Sequence, residues 1–202
     1  MDYLIQKHTD DDTVKFSVLR GDETLELDVK LPRAPAKLCT ALEYDYPDYF
    51  IVGPMVFTPV SAELVKGLTS SRAWSTSMIY GQSPLVTRCN EKLNESNSDE
   101  QLVITGSGFL PHPITQGYSD PSYSVVEKLG GVKILNLAHL VRLIRDSKDE
   151  YLVFEFAGKG EETLVFRREE FLATTEDVLD DNGIRRQGTK PYMEIWDDGD
   201  EP

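Results

Sequence analysis

Residues 129–156, LGGVKILNLAHLVRLIRDSKDEYLVFEF, contain the clearest order of structural elements in the sequence. Asn136 is a favourable N-cap, and the residues after it predict a helix with one apolar face. A second apolar stretch, Tyr151–Phe156, follows the helix and predicts a strand. The apolar positions of the helix recur at i, i+3, i+4 and i+7, namely Leu137, Leu140, Val141 and Ile144. This order predicts a helix packed beside a sheet.

The run from Tyr49 to Phe57 is apolar almost throughout, which is typical of a buried strand. Gly53 and Pro54 interrupt this run and predict a bend. A strand here and the helix after Asn136 can flank a groove in which an extended peptide adds to the edge of the sheet.

Residues 13–31 alternate apolar and polar side chains on both sides of the turn sequence Arg20-Gly21-Asp22-Glu23. This pattern predicts an antiparallel hairpin with one buried face. A two-stranded unit is marginal alone, so we expect its apolar face to pack on another part of this chain or on another copy. The apolar positions are Val14, Phe16, Val18, Leu25, Leu27, Val29 and Leu31.

Weaker patterns complete the expected organisation. Ala62–Lys66 could form a short helix, and the serine- and threonine-rich stretch 69–77 predicts a surface excursion. Residues 101–105 and 163–167 predict strands, and a helix is expected from about residue 169 until Asn182-Gly183 ends it. The last ten or so residues are acidic and are expected to fray.

Composition limits the classes of function. The chain has 202 residues, with 21 Lys and Arg against 35 Asp and Glu, and a net charge of −14. Nucleic-acid binding needs clustered cations, whereas the longest basic runs are Arg167-Arg168 and Arg185-Arg186. The sequence predicts no membrane span, no secretion signal and no cofactor. The two cysteines, Cys39 and Cys89, lack metal-ligand spacing and are expected to be unpaired structural thiols.

The residue types that most often carry catalysis or bind metals are not arranged for either role in this sequence. His8, His112 and His139 lack a recognisable nucleophile context, and His139 is interpreted as an exposed or half-buried helix residue. Ser107 lies in Gly-Ser-Gly, which is not the G-x-S-x-G elbow of hydrolases, and it is interpreted as part of a loop. Asp10-Asp11-Asp12 lacks the spacing of a calcium loop and is interpreted as a solvated turn. The sequence therefore predicts no catalytic residue and no metal site.

The order of four segments resembles the C-terminal region of Deg/HtrA-type serine proteases with two PDZ domains, especially the plant-like branch. Asp12–Leu31 resembles the closing strands of the first PDZ domain, and Pro47–Pro59 is similar to the entry into the second. Leu129–Phe156 resembles the strand, helix and final strand of a PDZ domain. Asp181–Ile184 resembles the family's C-terminal helix and the exit after it. Family members occur in bacterial envelopes and in plant organelles, so the resemblance alone leaves the compartment open.

The resemblance implies an α+β fold: a PDZ-like, partly open β-barrel or sandwich with flanking helices, an N-terminal hairpin and a C-terminal helical extension. The family's protease domain and most of its first PDZ domain have no counterpart here, so the chain is either cut from a longer protease or a stand-alone relative without catalytic power. The expected parts are a PDZ remnant with Tyr3-Leu4-Ile5 at 1–33, a linker at 34–46, the PDZ-like domain at 47–168 with an insertion at 58–100, a helical extension at 169–190 and an acidic tail at 191–202.

In PDZ domains a loop near a glycine presents backbone N–H groups to a peptide's terminal carboxylate, and the next strand pairs with the peptide. If the family's binding site is carried over to this chain, the resemblance implies that Val52-Gly53-Pro54-Met55 is the carboxylate-binding loop and that Val56-Phe57 is the strand that pairs with the peptide. The helix side of the groove would then consist of Leu137, Val141 and Ile144. Pro54 departs from the pattern because it has no N–H to donate. These residues bind a peptide only if the groove is open.

Three hypotheses remain at this point. The first is an assembly module that holds protease subunits together as a homo-oligomer, with its groove closed or engaging an internal segment. The second is a substrate-sensing module that captures C-terminal or unfolded peptides. The third, that the chain is itself an enzyme, is disfavoured by the missing nucleophile context. The expected partners are therefore proteins or peptides.

Overall fold

The structure, a computed structural model, describes residues 9–10, 13–21, 23–30, 37–39, 41–42, 45–93, 98–106, 108–160 and 162–200. The chain divides into two compact units, Met1–Pro35 and Ala36–Pro202. Tyr3-Leu4-Ile5, His8, Asp11, Asp12 and Ser107 lie outside the described residues.

The first unit is a small antiparallel sheet in the order β1-β2-β3, comprising Thr9–Asp10, Thr13–Arg20 and Glu23–Lys30. The predicted hairpin is confirmed. Gly21 adopts a φ of +65° in the turn, a conformation that glycine reaches without strain. Phe16 is in register with Leu27. Because side chains alternate along a strand, both project from the same face.

In the single chain that face of the hairpin stays partly exposed, and the partner expected for it remains a prediction. Phe16 is 40% exposed and Leu27 is 47% exposed, and Val18, Leu25 and Val29 on the same face have similar exposure. The hairpin alone cannot cover this face because its two strands lie side by side in one layer.

The second unit contains both strands and helices. Its described strands are β4 (Phe50–Val52), β5 (Met55–Pro59), β6 (Val103–Thr105), β7 (Val125–Leu129), β8 (Val132–Lys133), β9 (Tyr151–Ala157) and β10 (Leu164–Arg167). Its described α-helices are α1 (Ala62–Ser70), α2 (Arg72–Tyr80), α3 (Pro84–Thr87), α4 (Leu137–Asp146), α5 (Arg168–Asp181) and α6 (Lys190–Asp197). This architecture confirms the predicted α+β class, with the expected strand after α4 and the expected helix ending at Asn182.

The strands of the second unit form one antiparallel sheet in the order β10-β9-β7-β6-β5-β4, with β8 paired to β7. Helices α4 and α5 cover it with buried apolar side chains, including Leu140 and Phe171. A second apolar cluster involves helices α1 to α3 and contains Met78, Leu85, Cys39 and Cys89.

One expectation from the sequence was incomplete and another was wrong. The stretch 69–77 lies largely at the surface, as predicted, but Arg72–Tyr80 forms a helix, α2, that the sequence did not predict. This helix buries Met78 and places Trp74 edge-on against Tyr123 with ring centroids 5.6 Å apart. As far as the structure describes it, the acidic end is not frayed, because Lys190–Asp197 forms α6 and buries Tyr192. In both helices tertiary packing outweighs weak local helix signals.

Residues 50–57 form a hairpin rather than one bent strand. β4 and β5 pair antiparallel, with Val52 opposite Met55 and Phe50 opposite Phe57. Gly53, with a φ of +52°, and Pro54 form the two-residue turn between them. The bend predicted at Gly53-Pro54 is therefore a complete reversal of the chain.

Candidate functional site

The predicted carboxylate-binding loop is the tight turn of the β4–β5 hairpin, and all four of its residues, Val52 to Met55, are buried. The N–H of Gly53 donates a hydrogen bond to Thr175 Oγ1 on α5, with a nitrogen–oxygen distance of 2.8 Å. Pro54 has no N–H, and its carbonyl accepts from the Leu110 N–H at 2.8 Å. Met55 is paired with Val52 across the turn. The turn therefore does not present a set of free amides to an anion.

The predicted peptide-pairing strand, β5, has neighbours on both sides. β4 pairs with one edge of β5 and β6 pairs with the other, where Phe57 lies opposite Thr105. A peptide can add to a strand only at an edge whose N–H and C=O groups are free. In this structure β4 occupies the edge that the added peptide would need.

The helix side of the predicted groove is part of the core. Leu137, Val141 and Ile144 on α4 have no solvent exposure, and they belong to the same apolar cluster as Met55 and Phe57. The structure thus brings the two halves of the predicted site together, but as packed apolar side chains. Only Val56 among the nine predicted residues is partly exposed.

The outer edge of β4 is covered by residues 187–197, which we call the C-terminal segment. The N–H of Ile51 donates to the Gln187 carbonyl at 2.8 Å, and Phe50 and Gly188 form an antiparallel bridge. A side chain on Gly188 would not fit, because a Cβ there would lie 2.8 Å from Cδ2 of Phe50. The C-terminal segment therefore continues the sheet beyond β4.

Helix α6 of the C-terminal segment packs against α4 and the core. Trp196 lies over Phe50 with ring centroids 5.2 Å apart, and Arg145 on α4 donates through Nη1 to the Ile195 carbonyl. Burial, together with the Asp48 carboxylate, raises the pKa of Tyr192 to about 12. The ordinary value is 10.0, so the fold favours the neutral phenol.

Sequence reasoning missed the residues that close the site. They lie far along the chain from Gly53, four within the expected extension at 169–190 and one in the expected tail after it: Phe171, Thr175, Gln187, Gly188 and Trp196. The resemblance at Asp181–Ile184 indicated an extension there. No local pattern indicated which strand the extension would cover.

Each of the two described histidines accepts a hydrogen bond from a nearby backbone N–H. His112 Nδ1 accepts from the Ile114 N–H at 3.2 Å, and His139 Nδ1 accepts from the Leu135 N–H at 3.3 Å. His139 is half-buried on α4, as expected. Across the described ranges, no three His, Cys, Asp or Glu side chains group as metal ligands, and no helix is long and apolar enough to cross a membrane.

Comparison with protein families gives one match over most of the chain. Residues 40–190 match the model of a family described as "PDZ domain". The match covers the described strands and helices of the second unit up to the first residue of α6.

The chain is also similar to curated plant proteins. It is 28% identical over 200 residues to Protease Do-like 2, chloroplastic, of Arabidopsis thaliana, a match that covers 97% of this chain and 31% of that protein. It is 24% identical over 185 residues to Putative protease Do-like 12, mitochondrial, of Arabidopsis thaliana, covering 91% of this chain and 31% of that protein. The chain thus spans about a third of the length of these relatives.

Proposed function

Because this chain belongs to the PDZ domain family and resembles the C-terminal PDZ region of Deg/HtrA-type proteases, we propose that it is a non-catalytic module that holds protease subunits together. The protein of which it would be a part is then a serine endopeptidase whose catalytic domain lies outside this chain. The observation that carries the proposal is the pairing of β5 on both edges, which leaves β5 without a free edge for an added peptide strand.

The closed groove supports a role that does not depend on capturing peptides. The Gly53 N–H is bonded to Thr175, and the edge of β4 is bonded to the C-terminal segment. A peptide would have to break these hydrogen bonds inside the chain before it could form its own. Exchange of equivalent hydrogen bonds yields little net free energy, so peptide binding there would be weak.

The hairpin face supplies a surface suited to assembly. Phe16 and Leu27 lie directly opposite each other, as do Val18 and Leu25, and all four are between 39% and 47% exposed. Contiguous apolar patches on soluble proteins mark contacts with other proteins. We propose that this face packs against a second protease subunit.

Light scattering after gel filtration, over a wide range of concentrations, tests the proposal by absolute mass. We expect the chain to form an oligomer that persists on dilution. We expect the variant Leu27→Glu to be folded but to be unable to form this oligomer. Leu19→Glu is the matched control, because Leu19 is 71% exposed and lies on the opposite face of the same hairpin. A monomeric wild-type chain would contradict self-assembly, and equal effects of the two variants would exclude the apolar face as the contact.

The alternative, a substrate-sensing module, is supported by a different surface. An apolar cavity of about 560 Å³ lies at the end of β5 and is lined by residues that include Thr58, Pro59, Leu64, Leu68 and Tyr123. A cavity of this size could take an apolar side chain of a peptide.

A set of fluorescent peptides with free C-termini, each paired with its amidated form, tests this alternative. If the chain senses substrates, we expect it to bind peptides with micromolar affinity and Leu64→Glu to weaken this binding. If the Gly53 turn takes part, peptides with a free carboxylate should bind more tightly than their amidated forms. Ser70→Glu on the same helix is the control, because Ser70 does not line the cavity. Absence of binding across the set would remove the alternative.

A further inference from the structure

Cys39 and Cys89 lie next to each other in the core of the second unit. They are 3% and 7% exposed, and both are free thiols. The Cys39 N–H donates to the Cys89 carbonyl at 3.3 Å, and both side chains belong to the same buried apolar cluster. The two cysteines are far apart in the sequence, and the sequence analysis therefore predicts no pairing between them.

The backbone around the two cysteines holds them in this arrangement. Residues 37–39 run antiparallel to residues 89–92, with Lys37 bridged to Lys92 and the Leu38 N–H bonded to the Glu91 carbonyl at 2.9 Å. The register of this bridge places Cys39 opposite Asn90, one position from Cys89, and the Cys39 N–H reaches the Cys89 carbonyl across that offset. A disulfide spans Cα separations of about 4.4–6.8 Å. Because a backbone hydrogen bond already joins the two residues, a bond between the two sulfurs requires only a local adjustment of the backbone.

We propose that Cys39 and Cys89 are a reversible disulfide site, which small disulfides of the glutathione class oxidise. One thiolate attacks a sulfur of oxidised glutathione, forms a mixed disulfide and releases one glutathione thiolate. The second cysteine loses its proton, attacks the protein sulfur of the mixed disulfide and releases the second glutathione. Overall, two protein thiols lose two electrons and two protons, and one glutathione disulfide becomes two glutathione thiols.

The surroundings favour Cys89 as the first attacking group. Burial, together with the contact to Cys89, raises the pKa of the Cys39 thiol far above its ordinary value, so Cys39 keeps its proton at neutral pH. Cys89 has the greater exposure of the two and lies two residues after α3. Cys39 is then the resolving cysteine, and we expect ring closure to accelerate as the pH rises.

The bond would join the chain before the PDZ match to the end of the insertion. Cys39 directly precedes residue 40, where the match begins, and Cys89 follows helices α1 to α3. Closing a loop of roughly 50 residues removes much conformational freedom from the unfolded chain. Oxidation would therefore stabilise the insertion and fix the route by which the chain enters the domain.

Incubation of the reduced chain with oxidised glutathione, followed by thiol counting in denaturant and peptide mapping without reductant, tests the proposal. We expect the two free thiols to disappear, a cross-linked peptide that contains Cys39 and Cys89, and a Tm increase of about 5–10 °C that dithiothreitol reverses. The single variants Cys39→Ser and Cys89→Ser should show no such increase.

Three outcomes would overturn the proposal. The first is that both thiols of the folded chain remain free after treatment with oxidised glutathione, under conditions in which the urea-unfolded chain forms the disulfide. The second is glutathione adducts on both cysteines without a protein disulfide. The third is a disulfide between two chains, which mass measurement without reductant distinguishes from one within a chain.

Discussion

Gly53 and Thr175, which are 122 positions apart, are joined by a buried hydrogen bond of 2.8 Å from the Gly53 N–H to Thr175 Oγ1. This bond connects the turn that would receive a peptide carboxylate to helix α5 of the C-terminal extension. We expect Thr175→Val to lower the free energy of unfolding by about 1–3 kcal/mol, because the Gly53 N–H would stay buried without its acceptor. Urea unfolding of the second unit measures the change.

Thr174→Val is the matched control for this bond. Thr174 is the preceding residue on α5 and is also buried, but its hydroxyl donates to the Phe171 carbonyl three residues earlier. That carbonyl can still accept a helical backbone bond, so the control should cost less. Equal losses for the two variants would mean that the bond to Gly53 contributes nothing specific.

Gly53 also lies against the ring of Phe171. A Cβ at Gly53 would be 2.8 Å from Cε2 of Phe171, and the backbone has a φ of +52°. We expect Gly53→Ala to cost about 2–4 kcal/mol, the sum of left-handed strain and overpacking. Thermal or urea unfolding measures it.

Gly183→Ala separates these two causes. Gly183 has a φ of +63°, but a Cβ there would meet nothing within 4 Å. Its substitution should cost only the strain, about 1–2 kcal/mol. If Gly53→Ala costs no more than Gly183→Ala, the turn has room to move away from α5.

The elements that the sequence predicted well are those with strong local signals. The helix after Asn136 has its N-cap, and the Asn136 Oδ1 accepts from the His139 N–H at 2.8 Å, as that signal implies. The hairpin at 13–30 has two alternating strands and a glycine turn. In both cases the residues that decide the structure are within a few positions of each other.

The helices that the sequence missed depend on distant contacts. Serines and threonines weaken the signal of α2, and acidic residues and Pro191 obscure α6. Their stability comes from Met78 and Tyr192, which are buried by residues elsewhere in the chain. Closure of the groove has the same origin, because it requires the C-terminal segment to reach β4. Peptide binding by the nine predicted residues therefore stays a prediction.

The apolar face of the first unit gives a prediction about stability. Phe16 is 40% exposed, whereas Phe57 in the second unit is 1% exposed. We expect Phe16→Ala to change the free energy of unfolding of the second unit by less than about 1 kcal/mol, and Phe57→Ala to lower it by about 3–5 kcal/mol. Urea unfolding at a concentration below any assembly measures both. A loss of ~3 kcal/mol for Phe16→Ala would mean that Phe16 is a core residue of the monomer.

Tyr192 gives a prediction about pH. Burial and the Asp48 carboxylate raise its pKa in the folded chain to about 12, above the ordinary 10.0. Above pH 10 the unfolded chain loses this proton while the folded chain retains it, so the stabilising contribution is complete below pH 10 and falls as the pH rises towards 12. The full loss is on the order of 2–3 kcal/mol. Urea unfolding at several alkaline pH values measures the slope.

Tyr192→Phe should remove this part of the alkaline decline, because phenylalanine has no proton to lose. Relative to the wild type, the variant should gain stability as the pH rises from 10 towards 12. Tyr80→Phe is the control, since Tyr80 is 79% exposed, and it should leave the wild-type slope unchanged. If Tyr192→Phe and the wild type decline in parallel, water reaches the Tyr192 hydroxyl in the folded chain, and α6 is then not held firmly against the core.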